Sequence, residues 1–368
     1  MDEPESLERR VVERIRRDGP MTFAAYMDAA LYDESSGYYA RLPIGESEDF
    51  ATSPHVSPVF GELVATQVKE FWQFLGEPAS FEIVEAGAGD GTLAVQILGA
   101  MEPAMADIIS YTAVDRSQAA RNALRRNGIR IAAALGEVAP VEAGCVVANE
   151  LLDNVPAHWV RREANGPLQE RYVDLDTSST LSFVDRELSM PQLGLLAASL
   201  PPGAESLVRP AALEVIEEIA RVLGRGYAWI VDYGFTGGAT AERPYGYRAH
   251  RLEEDVLAAP GSRDITAGVD FDALARHARH LGLVVWGPVT QRHALRSLGW
   301  ATIDRVRREA QAAAIGARQG ITALRAYSDR GRAAQLIASG GLGDFLVLGL
   351  GVNVDPTRVP QSMRGDLS

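Results

Sequence analysis

The chain has 368 residues, 46% of them hydrophobic and 23% charged, with a formal net charge of -13 at pH 7. Such a composition belongs to a globular protein with ample material for a core, in one large or two small domains. The acidic balance argues against a nucleic-acid partner, which needs clustered Lys and Arg, and is compatible with a cationic ligand or with plain solubility.

In chain order, Met-Asp-Glu-Pro-Glu lacks the basic and apolar regions of a targeting segment, so a cytoplasmic protein is expected. Leu7 to Arg17 reads as an amphipathic helix stopped by Asp18-Gly19-Pro20, and Thr22 caps a second helix to about Leu31. Tyr32 to His55 has no sustained period and reads as a long ordered loop or lid. Ser57-Pro58 then starts a helix to about Leu75. Strands are expected at Phe81–Glu85, Tyr111–Asp115, Ile129–Ala134, Cys145–Asn149, Tyr227–Asp232, Leu283–Gly287 and Phe345–Gly351. Helical patterns between the first five give a parallel, doubly wound α/β sheet. A hairpin of Ala157–Arg162 against Arg171–Leu175 interrupts it, and further excursions follow at 234–267 and 291–341. The Ala-rich stretch Ile303–Ala314 serves either as an intrachain cover or as a homodimer contact. The lone Cys145 sits in an apolar run and reads as a buried small hydrophobe, and six scattered His with no paired Cys give no metal site. No apolar stretch reaches membrane-spanning length.

The first strand ends in Glu85 and runs into Gly87, Gly89 and Gly91. Glycines there let backbone approach a nucleotide-type ligand at a helix N-terminus, or serve tight helix–strand packing. A dinucleotide fingerprint wants a third glycine where Thr92 stands, which disfavours a nicotinamide oxidoreductase; the G-x-G-x-G spacing resembles that of S-adenosylmethionine (SAM) methyltransferases. Asp115 ends the second strand, where a carboxylate accepts both ribose hydroxyls of an adenosine or acts as a turn residue. Arg116 joins it as a candidate contact, and Ser117 caps the helix Gln118 to Arg126.

The fourth strand leads into Asn149-Glu150-Leu151-Leu152-Asp153-Asn154-Val155-Pro156, at the switch point of such a sheet. Asn149 is assigned to the cofactor, and Glu150 and Asp153 to catalysis. These carboxylates orient a guanidinium nucleophile, bias charge away from one nitrogen and accept its proton, unless Asn149 and Asp153 merely cap a turn. Asp232, ending the fifth strand, lines the same cleft or caps the following turn. Arg248 and His250 are candidate substrate-site groups, His250 being equally readable as an ordinary loop histidine.

From Gly19 to Gly351 the chain resembles the MidA-type SAM-dependent methyltransferases, the family that includes the mitochondrial complex I assembly-factor methyltransferase. The resemblance rests on Gly19-Pro20-Met21-Thr22-Phe23, Gly37-Tyr38-Tyr39, Asp49-Phe50-Ala51-Thr52-Ser53-Pro54, Phe60-Gly61-Glu62-Leu63 and the glycine loop. Asn149-Glu150-Leu-Leu-Asp153, Asp232-Tyr233-Gly234 and Asp264-Ile265-Thr266 complete it. It implies a seven-stranded Rossmann-like class I sheet whose last strand inserts antiparallel, and SAM as cofactor. It implies too that Asp49–Pro54 and the helix near Ser57 close over that cofactor, with Thr52 and Ser53 in contact. Residues 1–77 would then be N-terminal helices and lid, 78–351 the core with insertions at about 157–200, 234–267 and 291–341, and 352–368 a tail. Three features depart from the family pattern: His55 replaces an acidic residue, Leu151, Leu152 and Asn154 replace aromatic and Ala positions, and the run before Tyr247 is shortened. The resemblance to the mitochondrial members, which are protein arginine methyltransferases, makes methyl transfer to a protein or peptide arginine the leading expectation, and the departures bear on the substrate. A small-molecule or natural-product acceptor, or a non-catalytic SAM-binding assembly factor, are the alternatives.

Overall fold

A computed structural model describes residues 6–42, 52–237, 243–248 and 251–365. All seven expected strands form: β1 (Phe81–Ala86), β2 (Ile109–Val114), β3 (Arg130–Ala132), β4 (Gly144–Asn149), β5 (Gly226–Asp232), β6 (Val284–Thr290) and β7 (Leu346–Val352). They make one sheet in the order β6-β7-β5-β4-β1-β2-β3. Strands β1 to β5 pair in parallel, whereas β7 runs antiparallel to both of its neighbours, as the resemblance implies. The β3 strand is shorter than its apolar run because it lies at the edge, with a partner on one side only.

Both faces of the sheet are covered, which is why its strands read as near-continuous apolar runs. Phe81, Ile83, Cys145, Val147, Tyr227 and Trp229 point to one layer, with the helices Val59–Phe74 and Thr92–Ala100. The alternate residues Val84, Ala86, Val146, Ala148 and Ile230 face the other, with Pro210–Val222 and Phe271–His280. Phe60, Leu63, Trp229 and Phe271 are wholly buried, each stabilising the fold by about 1.5–3 kcal/mol relative to exposure. Chain order reverses between β1 and β4, so the crevice beyond their C-terminal ends is where such a sheet binds its ligand.

The N-terminal helices do not stand apart from the core insertions. Thr22 caps Phe23–Tyr32 by accepting the Ala25 amide, and Met21–Thr22 pairs with Leu168–Leu175. That strand belongs to a five-stranded sheet with His158–Arg162, Leu181–Arg186 and Glu205–Val208, so the insertion runs past residue 200. Phe23, Tyr26, Trp159, Val173 and Ile265 share one buried cluster. The helix expected at Ser57-Pro58 starts at Val59. Between β6 and β7, Trp300–Gly316 and Gly320–Gln335 pack on each other. An intrachain cover accounts for only part of this pair: Trp300, Ala314 and Ala333 are buried, while Ile315, Ile321, Leu324 and Tyr327 stay exposed. Among the described residues no helix is long and apolar enough to cross a membrane, and no cluster of metal ligands occurs.

Candidate active site

At the end of β1 the chain turns through Gly87, Gly89 and Gly91, all with positive φ (76°, 53° and 85°). A Cβ on Gly87 would come within 2.9 Å of the Leu151 side chain, and one on Gly91 within 2.9 Å of Leu124. Two of the three glycines therefore serve close packing as well as ligand approach. The loop is fixed from β2: Asp115 Oδ2 accepts the Gly89 amide (2.9 Å) and Oδ1 accepts the Ser117 amide (2.8 Å). The turn reading of Asp115 is the one these bonds match, and the residue also lines the crevice. Burial raises its pKa despite these bonds. Glu85 accepts the Tyr111 hydroxyl (2.8 Å), and burial pushes its carboxyl up to about 8. Arg116 borders the crevice, but its guanidinium bonds Asp28 (2.8 Å) and lies 3.9 Å over the Tyr32 ring.

The end of β4 holds a second constellation. Asn149 is 9% exposed, and its Oδ1 is buried with no hydrogen-bond partner. Glu150 has φ of 52°, and its Oε1 accepts both the Ser53 amide (2.8 Å) and the Asn149 amide group (3.1 Å). Burial first, then the nearby Asp153 charge, pushes Glu150 up to about 7. Asp153 lies in the short turn Leu152–Asn154, its Oδ2 accepting from Thr266 (2.9 Å). Its Oδ1 is buried without a donor, and its only carboxyl neighbour in bonding reach is Asp232. Burial raises Asp153 against the Thr266 bond, the Arg209 charge and the Asp232 bond, whereas burial and then the Asp153 charge hold Asp232 well above its usual range. Asp232 itself is wholly buried and does not line the crevice. Its oxygens accept the amides of Leu152 (2.6 Å), Asp153 (3.3 Å) and Tyr233 (2.8 Å). The capping reading of Asp232 is the one the geometry matches, because those amides consume both oxygens; its assignment to substrate is corrected.

The residues expected to close over the cofactor divide. Thr52 is on the crevice wall and bonds His55 Nδ1 (2.8 Å). Ser53 lies behind the wall: its amide holds Glu150, and its hydroxyl points to Gln291 (3.3 Å). The cofactor contact expected of Ser53 is thereby replaced by support of Glu150. His55 Nε2 bonds Asp90 Oδ2 (3.1 Å), which joins the short helix Ser53–Val56 to the glycine loop. Residues 43–51, and with them the first half of the Asp49–Pro54 motif, lie outside the described residues, as does His250. Arg248 ends the strand Tyr245–Arg248, opposite Arg251, and so stands at a hairpin end.

Spacing in the sequence did not single out Tyr39, Asn154 and Asp264, which meet here. Tyr245–Arg248 pairs with Arg251–Glu253 and Asp264–Thr266 to form a small canopy. Asn154 donates to Asp264 Oδ1 (2.8 Å), and the Tyr39 hydroxyl reaches Asn154 Oδ1 (2.9 Å) and Asp264 Oδ1 (3.3 Å). Burial first, then the Asp153 charge, pushes Asp264 up to about 8.

The crevice so enclosed measures about 580 Å³ and is lined from β1, β2, β4 and the canopy together, within the range for a small-molecule site. The glycine loop, the carboxylates Glu85 and Asp115, and the unpartnered acceptor on Asn149 suit an adenosine carrying an amino acid. Such a ligand brings hydroxyls and an ammonium to side-chain oxygens that accept.

Comparison with known proteins agrees. A family model of S-adenosyl-L-methionine-dependent methyltransferases matches residues 63–289. The protein arginine methyltransferase NDUFAF7, mitochondrial, of Bos taurus is 34% identical over 79% of this chain and 73% of its own length. The human protein of the same name is 32% identical with the same coverage. A crystal structure of a superfamily member from Burkholderia thailandensis bound to S-adenosyl-homocysteine superposes with a TM-score of 0.82 at 27% identity, covering 98% of this chain and 95% of that one. The chain belongs to this family and is a class I SAM-dependent methyltransferase.

Proposed function

We propose that the protein transfers the methyl group of SAM to a protein or peptide, with an arginine guanidinium as acceptor and the cytoplasm as its setting. The observation that carries this reading is the buried acidic turn at the end of β4, where the carboxylates of Glu150 and Asp153 line the crevice. A planar cation with several N–H groups suits such a pair of acceptors. The relatives named as protein arginine methyltransferases support the same acceptor class.

When bound, SAM supplies an electrophilic methyl carbon on a positively charged sulfur. The chain's own task is to hold the acceptor nitrogen in line with it and to manage the proton. Guanidinium stays protonated in water, so a nitrogen lone pair becomes available only as a base draws off the proton. Glu150, fixed by the Ser53 amide at one oxygen and pushed up to about 7, is suited to accept it. Asp153 keeps a negative charge beside the rest of the delocalised cation.

Isotope-labelled SAM incubated with protein and small-molecule fractions of a lysate, followed by mass spectrometry, tests this. Label on peptide arginine is expected. Label on small molecules alone overturns the acceptor, and persistent absence of turnover despite SAM binding favours a non-catalytic binder. The conservative Glu150→Gln variant retains an acceptor for the Ser53 amide; its turnover should drop by about 100-fold or more with SAM affinity nearly unchanged. Unaltered turnover would sink the role given to Glu150.

A further inference from the structure

We infer that Asp264 is a third acceptor-facing carboxylate, after Glu150 and Asp153, and that it makes the site select a guanidinium over an ammonium; this rests on the arginine reading above. The canopy's register brings it there. Tyr247 pairs with both Asp264 and Leu252, and Tyr245 with Thr266, and residues directly opposite on antiparallel strands share a face. That face lines the crevice. The intervening Ile265 points the other way, into the cluster of Phe23, Tyr26 and Trp159. Thr266 bonds Asp153 Oδ2 (2.9 Å), which locks the face onto the β4 turn.

The orientation of Asp264 is fixed but its charge is not matched. Both of its side-chain bonds, from Asn154 and Tyr39, are from neutral donors and fall on Oδ1. The groups acting on it are a negative charge, Asp153, and the neutral donors Asn154, Tyr39 and the Ile265 backbone. The guanidinium of Arg209 is directed at the carbonyls of Asp153, Val155, Ala267 and Gly268.

Two carboxylates borne by different elements, Glu150 on the β4 turn and Asp264 on the canopy, fit a planar group with five N–H donors in a fixed fork. A compact ammonium meets one point at a time. Tyr245 and Tyr247, on the face of Asp264, add ring surfaces against which a planar cation stacks.

The test uses two peptides identical except for Arg or Lys at the acceptor position, with wild type and Asp264→Asn. The Asn variant keeps an oxygen for Tyr39 and Asn154. The expected result is a rise in KM for the Arg peptide of roughly 10–100-fold, as for loss of a charge-assisted hydrogen bond. SAM affinity should stay unchanged, and the Arg-over-Lys preference should shrink. Tyr39→Phe, which removes one of the two bonds orienting the carboxylate, should raise KM less. If wild type methylates no Arg peptide, the arginine reading falls. If it does, and Asp264→Asn matches it in KM and in preference, only the present inference falls. A loss of SAM affinity equal to the rise in KM would likewise overturn it, by making Asp264 a structural residue.

Discussion

His55 is the residue through which the covering segment grips the glycine loop. Its ring bonds Thr52 on one side and Asp90 on the other, and Asp90 in turn accepts the Thr92 amide and hydroxyl (both 2.9 Å). Burial alone would raise Asp90, but the His55 and Thr92 bonds outweigh it and hold the carboxyl below its usual range. One hydrogen bond, worth about 0.5–1.5 kcal/mol, therefore joins the covering segment to the glycine loop, and the Thr52 bond orients the ring that makes it. His55→Ala should weaken SAM binding by about tenfold, the equivalent of 1.4 kcal/mol, with most of the change in the dissociation rate. Calorimetry and stopped-flow dissociation check this; wild-type affinity in the variant would show that the latch does not reach the cofactor. Glu150 illustrates another residue-scale point, since its φ of 52° is costly for a side chain with Cβ. Such a conformation persists where the surroundings over-determine it, here the Val231 carbonyl (2.8 Å) and the Ser53 amide.

Among elements, one side chain clamps the β4 turn to the segment that follows the canopy strand Asp264–Thr266. Arg209 donates to the carbonyls of Gly268 (2.7 Å), Ala267 (2.7 Å), Asp153 (3.1 Å) and Val155 (3.2 Å). A fork is required to serve four acceptors on two segments, so Arg209→Lys keeps the charge and loses the geometry. It should cost about 2–3 kcal/mol of stability, from buried carbonyls left unpaired. Urea unfolding should show this as a lower midpoint with unchanged slope; a loss within error would mean water replaces the fork. The seven sheet strands were legible in the sequence because two-sided burial writes continuous apolar runs ending in Glu85, Asp115, Asn149 and Asp232. The canopy was not, because strands of three and four residues carry no period of their own. Asp264 escaped for the same reason: its partners Asn154 and Tyr39 lie 110 and 225 residues away, so only pairing reveals the cluster. Glu150 and Asp153, picked out in the sequence, both line the crevice, whereas Ser53 and Asp232 beside them are held behind it by backbone amides and neighbouring side chains.

For the whole molecule, the crevice stores acidic groups in the form that water would not choose. Burial pushes Glu85 and Asp264 up to about 8 and Glu150 up to about 7. In the unfolded chain these groups ionise near pH 4, so between about pH 4.5 and 8 the ligand-free native state binds more protons than the unfolded one. Stability must then fall as pH rises through that window, by roughly 1.4 kcal/mol per pH unit for each proton in excess. The net charge of -13 adds self-repulsion of the same sign. Carboxylates held low by partners, such as Asp33, Asp90 and Glu170, work in the opposite sense. Their contribution is present above the unfolded value and lost only as pH drops below it, outside the window. Thermal melts of the ligand-free protein should therefore shift downward from pH 5 to pH 8. The slope should flatten in Glu85→Gln and in Asp264→Asn, each of which removes one excess proton. A wild-type midpoint that rises across this range, or slopes unmoved by both variants, would place the stored protons elsewhere. The same excess makes acceptor binding proton-linked: a cation entering the crevice displaces protons from Glu150 and Asp264. Its affinity should accordingly increase with pH over the interval in which the ligand-free fold weakens.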